Sequence, residues 1–327
     1  MLRKKVGLAL GSGVAKGFAH IGVLKVLEKN KIPIDFISGT SAGSIVAALY
    51  ASNPNIEEVE SLALKTNISK LIDWNIPTAG LIKGNRFESY LREKINSKKI
   101  EDLKIPLFIT SVDLNTGHEV IFNKGDIAKA VRASISIPGI FNPAINKDKV
   151  LIDGAWKDTI PVEVLKEAGA EIIIAVNLNE FSENEKAIYL SSDTTKESAK
   201  LPNIFYTLLR SYQISEEELI KTERNNPIID ILIEPNLSKI KPNDFNKAKQ
   251  AIKLGEEATE KIIDNLKVMV KEGGIIKKII SKIRDIGDNA FDDAQKSLKE
   301  IKQATVTEAD IAIQDIKDVA KGGHNNH

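Results

Sequence analysis

Val6 to Leu10 is an uninterrupted apolar run that stops at Gly11-Ser12-Gly13, and a helical pattern follows from Gly17 to Asn30. The same order recurs at once. Phe36 to Ser38 is short and apolar, Gly39-Thr40-Ser41-Ala42-Gly43 breaks it, and a small-residue helical pattern runs to about Ser52. Further strand candidates are 107–113, 118–122, 150–153, 172–177 and 229–233, with helices over 126–134, 162–168, 204–224 and 244–270. Strand–helix alternation from residue 5 to about 265 predicts an α/β domain of three layers, a mostly parallel sheet with helices on both faces. The polar stretch 180–203 reads as a mobile surface segment. After about residue 270 the strand signal ends at Gly273-Gly274, so a domain over 1–270 and a helical C-terminal extension over 271–327 are expected.

Composition removes several functional classes. Lys and Arg number 46 against 45 Asp and Glu, so no global field recruits nucleic acid. Cysteine is absent, which excludes disulfides, thiolate metal sites and cysteine nucleophiles. Of the four histidines, His324 and His327 sit in the terminal GGHNNH, so a multi-histidine metal centre is not expected. The apolar run of MLRKKVGLAL is too short for a secretory signal, and nowhere do about 18 uncharged apolar residues run together. A cytoplasmic protein, held at most peripherally on the inner face of the membrane, is the expectation.

Gly39-Thr40-Ser41-Ala42-Gly43 is a G-x-S-x-G sequence between a strand and a helix. A serine on such a turn has its hydroxyl forced out of the sheet, while Gly39 and Gly43 let the backbone bend. The same five residues also describe a glycine-rich turn whose serine caps the next helix. Gly11-Ser12-Gly13-Val14-Ala15-Lys16-Gly17 is the second glycine loop, whose amides could cradle a phosphate or a tetrahedral oxyanion. Its spacing is not the dinucleotide fingerprint, Asp35 precedes the second strand instead of ending it, and no Gly-Lys-Ser/Thr is present. Two glycine turns after the first two strands end on the same edge of a parallel sheet.

A hydrolase triad in the order Ser, Asp, His needs a histidine well downstream of Ser41. His118 reads as a solvated turn residue, and His20 as a packing or polar contact within the first helix. A carboxylate alternative is Asp153, at the end of the apolar run Val150-Leu151-Ile152 and followed by Gly154. A carboxylate of ordinary pKa is a weak base in water, and an Asp-Gly pair is also a common turn.

Four ordered blocks carry a resemblance: GSGVAKGFAHIGV, GTSAGS, AVRASISIPGIFNPA (Ala130 to Ala144) and the Asp153-Gly154-Ala155 turn, extended by ILIEPNLSKIKPNDFNKAKQAIKLG at 231–255. Over roughly 5–265 the sequence resembles the patatin-like phospholipases, particularly their compact bacterial members. The resemblance implies a serine lipid acyl hydrolase acting on phospholipids or lysophospholipids through a Ser-Asp dyad, without metal or cofactor. Ser41 would be the nucleophile, Asp153 its proton acceptor, and the Gly11–Gly17 amides the oxyanion hole. Arg132, Pro138, Gly139 and Gly154 would shape the site. The family usually has arginine where this chain has Lys16, which keeps the charge but loses the planar fork of donors. Lipid acyl transfer, and a catalytically weak membrane-binding protein, are the alternatives.

Beyond Gly273-Gly274, Ile275, Ile276, Ile279, Ile280, Ile283 and Ile286 fall on one arc of roughly 140° at about 100° per residue, opposite lysines. Such a helix over 275–286 suits a membrane surface, or packing on the domain. The 3-4-3 spacing of Phe291, Ala294, Leu298 and Ile301 suits a hairpin or a self-association seam.

Overall fold

Alternate side chains of Val6–Leu10 (β1) enter two different cores in the computed structural model, which describes residues 3–76, 79–179 and 204–270. Val6, Leu8 and Leu10 join one cluster and Ala9 the other. Ile172–Val176 (β9 below) divides in the same way, with Ile172, Ile174 and Val176 on one side and Ile173 and Ala175 on the other. Side chains alternate across a strand, so an unbroken apolar run is what a sheet buried on both faces requires.

Along the chain come β1, α1 (Ala19–Lys29), β2 (Phe36–Gly39), α2 (Ala42–Ser52), α3 (Ile56–Lys65), β3 (Gly80–Ile82), α4 (Asn85–Lys94) and β4 (Leu107–Asp113). There follow β5 (Glu119–Phe122), α5 (Ile127–Ser134), β6 (Gly139–Phe141), β7 (Ala144–Asn146), β8 (Lys149–Asp153), α6 (Glu163–Glu167) and β9 (Ile172–Val176). The Ile204–Glu223 helix, β10 (Ile231–Ile233) and the Ala248–Glu260 helix complete the described elements. Residues 180–203 and the extension over 271–327, including the 275–286 helix and the later apolar spacings, lie outside the described residues.

The main sheet runs β10-β9-β1-β2-β4-β8-β7, with β5 also on β4. The pairs among β10, β9, β1, β2 and β4 are parallel, as strand–helix alternation predicts. β5, β8 and β7 pair antiparallel, and the sheet is mostly parallel as expected. β3 and β6 form a separate two-stranded sheet. One face carries α1, α2, α5 and the Ala248–Glu260 helix; the other carries α6 and the Ile160–Val162 segment. α1 and the Ala248–Glu260 helix touch backbone to backbone. A Cβ on Gly22 would lie 1.9 Å from the Ile252 carbonyl oxygen, and one on Gly255 2.1 Å from that of Ala19. The expected 244–270 helix is interrupted by a turn at Lys261-Ile262. No helix among the described residues is long and apolar enough to cross a membrane.

The register of β4 positions the site. β5 occupies one edge of β4 over Ile109–Val112, so β2 and β8 must share the other edge. β2 climbs it in parallel and stops at Gly39, opposite Ile109. β8 descends it antiparallel and stops at Asp153, opposite Ser111. The carboxyl ends of the two strands therefore meet head to head, two β4 positions apart.

Candidate active site

Ser41 leaves β2 into the first turn of α2 with φ 52° and ψ −120°. A non-glycine residue held there costs about 1–3 kcal/mol, so its surroundings must fix it. The Ser41 amide donates to Ser134 Oγ (2.9 Å), and the Ser41 carbonyl accepts from Ser44 Oγ (2.6 Å). Thr40 anchors the preceding residue through its amide to the Leu10 carbonyl (3.1 Å) and its hydroxyl to Thr110 Oγ1 (2.7 Å). Gly43 allows α2 to press on the first glycine loop: a Cβ there would sit 2.0 Å from the Leu10 oxygen and 2.6 Å from that of Gly11.

The strained turn aims Ser41 Oγ at Asp153, and the hydroxyl donates to Asp153 Oδ2 at 2.7 Å. The other carboxylate oxygen, Oδ1, accepts from the Ala155 amide (3.0 Å) and from the Tyr212 hydroxyl (3.0 Å). The Asp153 amide donates to the Ser136 carbonyl (3.0 Å). Complete burial pushes the Asp153 pKa up from 3.8 to about 7, against the opposing pull of its hydrogen bonds from Ala155, Ser41 and Tyr212. A carboxyl that is a weak base in water is thereby brought into the range where a general base works best at neutral pH.

The glycine loop lies beside this pair, but its amides are not equivalent. Those of Gly11, Ser12, Ala15 and Lys16 donate to the carbonyls of Val176, Thr159, Pro242 and Gly13. Gly13 and Val14, with φ 156° and 50°, form the bend, and their amides have no hydrogen-bond partner among the described residues. The same holds for the Ala42 amide, immediately after the serine. Gly17 faces the elbow, where a Cβ would meet that of Ala42 at 2.6 Å. His20 pins the loop from below: it is fully buried, its Nε2 is 2.8 Å from the Gly11 carbonyl, and burial lowers its pKa to about 4. It is neutral and donates from that nitrogen. His118 stands exposed in the β4–β5 turn.

Arg132, almost fully buried, ties the wall of the site together. Its guanidinium donates to Ser136 Oγ (2.6 Å) and to the carbonyls of Lys83 and Asn142, and lies 5.5 Å from the Phe141 ring. Through Ser136 this clamp reaches the Asp153 amide. Gly139, at φ 79° after Pro138, turns the chain into β6 where a Cβ would meet Leu208 at 2.6 Å. Gly154 packs on Thr110 with equal closeness, at 2.5 Å. Lys16 is buried.

Sequence reasoning missed Ser134, Asn179, Tyr212 and Glu216. Tyr212 and Glu216 are buried polar residues one turn apart on the Ile204–Glu223 helix. A glutamate aligned with the apolar stripe of an amphipathic helix was the available signal.

Beside the elbow lies an apolar groove lined by Val14, Gly17 and Ala42, by Ile45, Val46 and Leu49 of α2, by Val59, Leu62 and Ala63 of α3 and by Phe87 and Leu91 of α4. Among the described residues two polar side chains line it, Thr66 and Tyr90, and their hydroxyls bond each other at 2.6 Å.

Fold and site together define an α/β chain with a serine elbow whose partner is a carboxylate instead of a histidine. A family model described as Patatin-like phospholipase matches residues 8–166. Lysophospholipase nte1 of Aspergillus fumigatus is 31% identical over 192 residues, 57% of this chain and 13% of that protein. An uncharacterized NTE family protein of Mycobacterium bovis is 36% identical over 179 residues, 54% of this chain and 49% of that one. The chain thus matches only part of the length of these curated relatives. The crystal structure of VipD from Legionella pneumophila shares the fold, with a TM-score of 0.54 at 13% identity over 99% of this chain and 81% of that chain.

Proposed function

We propose that this protein is a serine lipid acyl hydrolase that cleaves fatty acyl esters of phospholipids or lysophospholipids through Ser41 and Asp153. The observation that carries the reading is the 2.7 Å hydrogen bond from Ser41 Oγ to a buried carboxylate, on a strained elbow at the carboxyl edge of the sheet. The match of residues 8–166 to the Patatin-like phospholipase model and the similarity to lysophospholipases support a lipid ester as substrate. So does an apolar groove, lined in part by Val14 and by Ala42 next to the serine, whose two polar side chains bond each other.

In the first step Ser41 Oγ attacks the ester carbonyl carbon while its proton passes to Asp153 Oδ2. Negative charge gathers on the carbonyl oxygen, where the unengaged amides of Gly13, Val14 and Ala42, with the N-terminus of α2, supply donors. Collapse of the tetrahedral intermediate breaks the ester C–O bond. Asp153 returns the proton to the departing alkoxide, and the acyl group stays on Ser41. A water molecule then gives a proton to Asp153 and attacks the acyl carbon. Release of the fatty acid restores the Ser41 hydroxyl. Tyr212 and the Ala155 amide hold Oδ1, which leaves Oδ2 directed at Ser41 throughout.

The test is labelling of the full chain with a fluorophosphonate probe and mapping of the modified residue, with lysophospholipid turnover measured alongside. Modification at Ser41, lost together with turnover in Ser41→Ala, is expected. Modification elsewhere in an active preparation overturns the assignment. Product analysis in the presence of a competing alcohol separates hydrolysis from acyl transfer.

A further inference from the structure

Trp74, Ile76 and Ile145 are the three most exposed large apolar side chains among the described residues, at 70%, 79% and 79%. Lone exposed apolar residues are common on protein surfaces and need no explanation. These three belong to segments that a hydrogen bond joins. Asn75 stands half-buried between the first two. Its amide donates to the Leu81 carbonyl (2.9 Å), and its Nδ2 to Asn142 Oδ1 (3.1 Å) in the link from β6 to β7, the strand that carries Ile145.

The Trp74 segment is anchored on both sides. The Asp73 carbonyl accepts from the Lys83 amide (2.9 Å), and the Asp73 carboxylate accepts from the amides of Gly84, Asn85 and Arg86 (2.7, 2.9 and 3.1 Å). Trp74 itself forms an antiparallel bridge with Ile82. Extended backbone turns successive side chains to opposite sides, so fixing Asn75 inward holds Trp74 and Ile76 outward.

Asn142 and Ile145 also line a polar groove together with five exposed lysines, Lys83, Lys124, Lys129, Lys147 and Lys149. None of the five forms an ion pair among the described residues. Of the carboxylates that line the groove, Glu88 and Asp126 are each bound by Arg92 at 2.8 Å, which leaves Asp148. The result is a local positive field on a chain whose net charge is only +1. The β7–β8 hairpin brings this field to the edge that holds the reacting pair. Leu151 pairs with Asp113, the last residue of β4, so Lys149 overhangs the carboxyl end of that strand. Four residues, about 13 Å along β8, separate Lys149 from Asp153.

We propose that Trp74, Ile76 and Ile145, with the lysines of the adjoining groove, dock this protein on an anionic lipid bilayer. The indole and the two isoleucines enter the interfacial layer, and the lysines meet lipid phosphates. Charge draws the chain to the surface, and apolar contact holds it there when salt screens the charge. Attachment itself needs no turnover. Only its consequence, delivery of substrate to Ser41, rests on the hydrolase reading.

The test uses the full chain carrying Ser41→Ala and vesicles of phosphatidylcholine, alone or with about 30% phosphatidylglycerol as the anionic component. Binding to the anionic vesicles should exceed binding to the neutral ones at least about tenfold and weaken as salt rises. Lys124→Ala, Lys147→Ala and Lys149→Ala should each lower it about fivefold. Trp74→Ser combined with Ile76→Ser should lower it about tenfold, with little dependence on salt. Trp74 also gives a direct readout, because the chain has two tryptophans and the other, Trp156, packs against Tyr212. In Trp156→Phe the remaining emission belongs to Trp74 and should move to the blue on anionic vesicles.

With Ser41 present, these lysine and Trp74/Ile76 variants should keep wild-type kcat/KM on a soluble short-chain ester, which also checks their folding, while turnover of vesicle lipid falls in step with binding. Undiminished vesicle binding by the variants, Trp74 emission that vesicles leave unmoved, or variants that instead dissociate a dimer overturn the proposal. Displacement from vesicles by inorganic phosphate at constant ionic strength would mark an isolated anion pocket and overturn it too. A chain that docks through these residues yet neither turns over ester nor takes the probe at Ser41 defeats the catalytic reading alone, so the two failures are distinct.

Discussion

Asp153→Asn is expected to do two opposite things: stop turnover, and stabilise the fold at neutral and alkaline pH. Asparagine fits the site isosterically. Its Oδ1 keeps the hydrogen bonds from Ala155 and Tyr212, and its Nδ2 takes the place of the oxygen that faces Ser41. Ser41 Oγ then accepts a proton where it should give one, and kcat/KM should fall about 10²–10⁴-fold. Stability moves the other way because the native carboxyl retains its proton up to about 7, while in the unfolded chain it lets go near 3.8. Across that interval the unfolded state binds fewer protons, so wild-type stability falls as pH rises. At about 1.4 kcal/mol per decade, the interval from 3.8 to about 7 corresponds to about 4 kcal/mol, a cost that the non-titrating amide escapes. Urea unfolding of both proteins at about pH 4.5 and pH 8.5 measures it. With a denaturant slope of about 3 kcal/mol/M, the variant's midpoint should exceed the wild type's by roughly 1 M more at the higher pH. An equal difference at both pH values, or a variant less stable than wild type at pH 8.5, would refute the claim that burial raises this carboxyl.

Gly43→Ala should damage the elbow and the glycine loop together, since the new methyl meets backbone, the carbonyl oxygens of Leu10 and Gly11 at 2.0 and 2.6 Å. A loss of about 2–4 kcal/mol and a slowed fluorophosphonate reaction at Ser41 are expected, and an unchanged melting curve would contradict the close contact. Ala63→Phe narrows the apolar groove from the α3 side. The kcat/KM ratio of a long-chain to an acetyl ester should drop about tenfold, whereas an unchanged ratio would place the acyl chain elsewhere.

What the sequence disclosed follows from how local each feature is. The turns after Val6–Leu10 and Phe36–Ser38 are written into a few consecutive residues, so the strands, the elbow and its serine were legible. Asp153 was legible as a residue but not as a neighbour. That β8 runs antiparallel on the same β4 edge as β2 is a matter of long-range register, which alternation along the chain does not encode. The strands β3, β6 and β7 have three residues each, too few to show a period. The glycine loop was seen as one cradle. Which of its amides are engaged depends on the carbonyls of Thr159, Val176 and Pro242, all remote in sequence. Tyr212 and Glu216 were hidden because a polar residue on an apolar stripe announces burial without naming its partner.

With the two strand ends converging on one flank of β4, that strand works as a ruler. The span between hydroxyl and carboxylate is graduated by the short interval from Ile109 to Ser111, and the 111 residues that separate Ser41 from Asp153 along the chain do not enter it. Loops within that stretch can grow, shrink or acquire new specificity while the reacting atoms keep their spacing. One residue inserted into the ruler itself would throw them out of alignment.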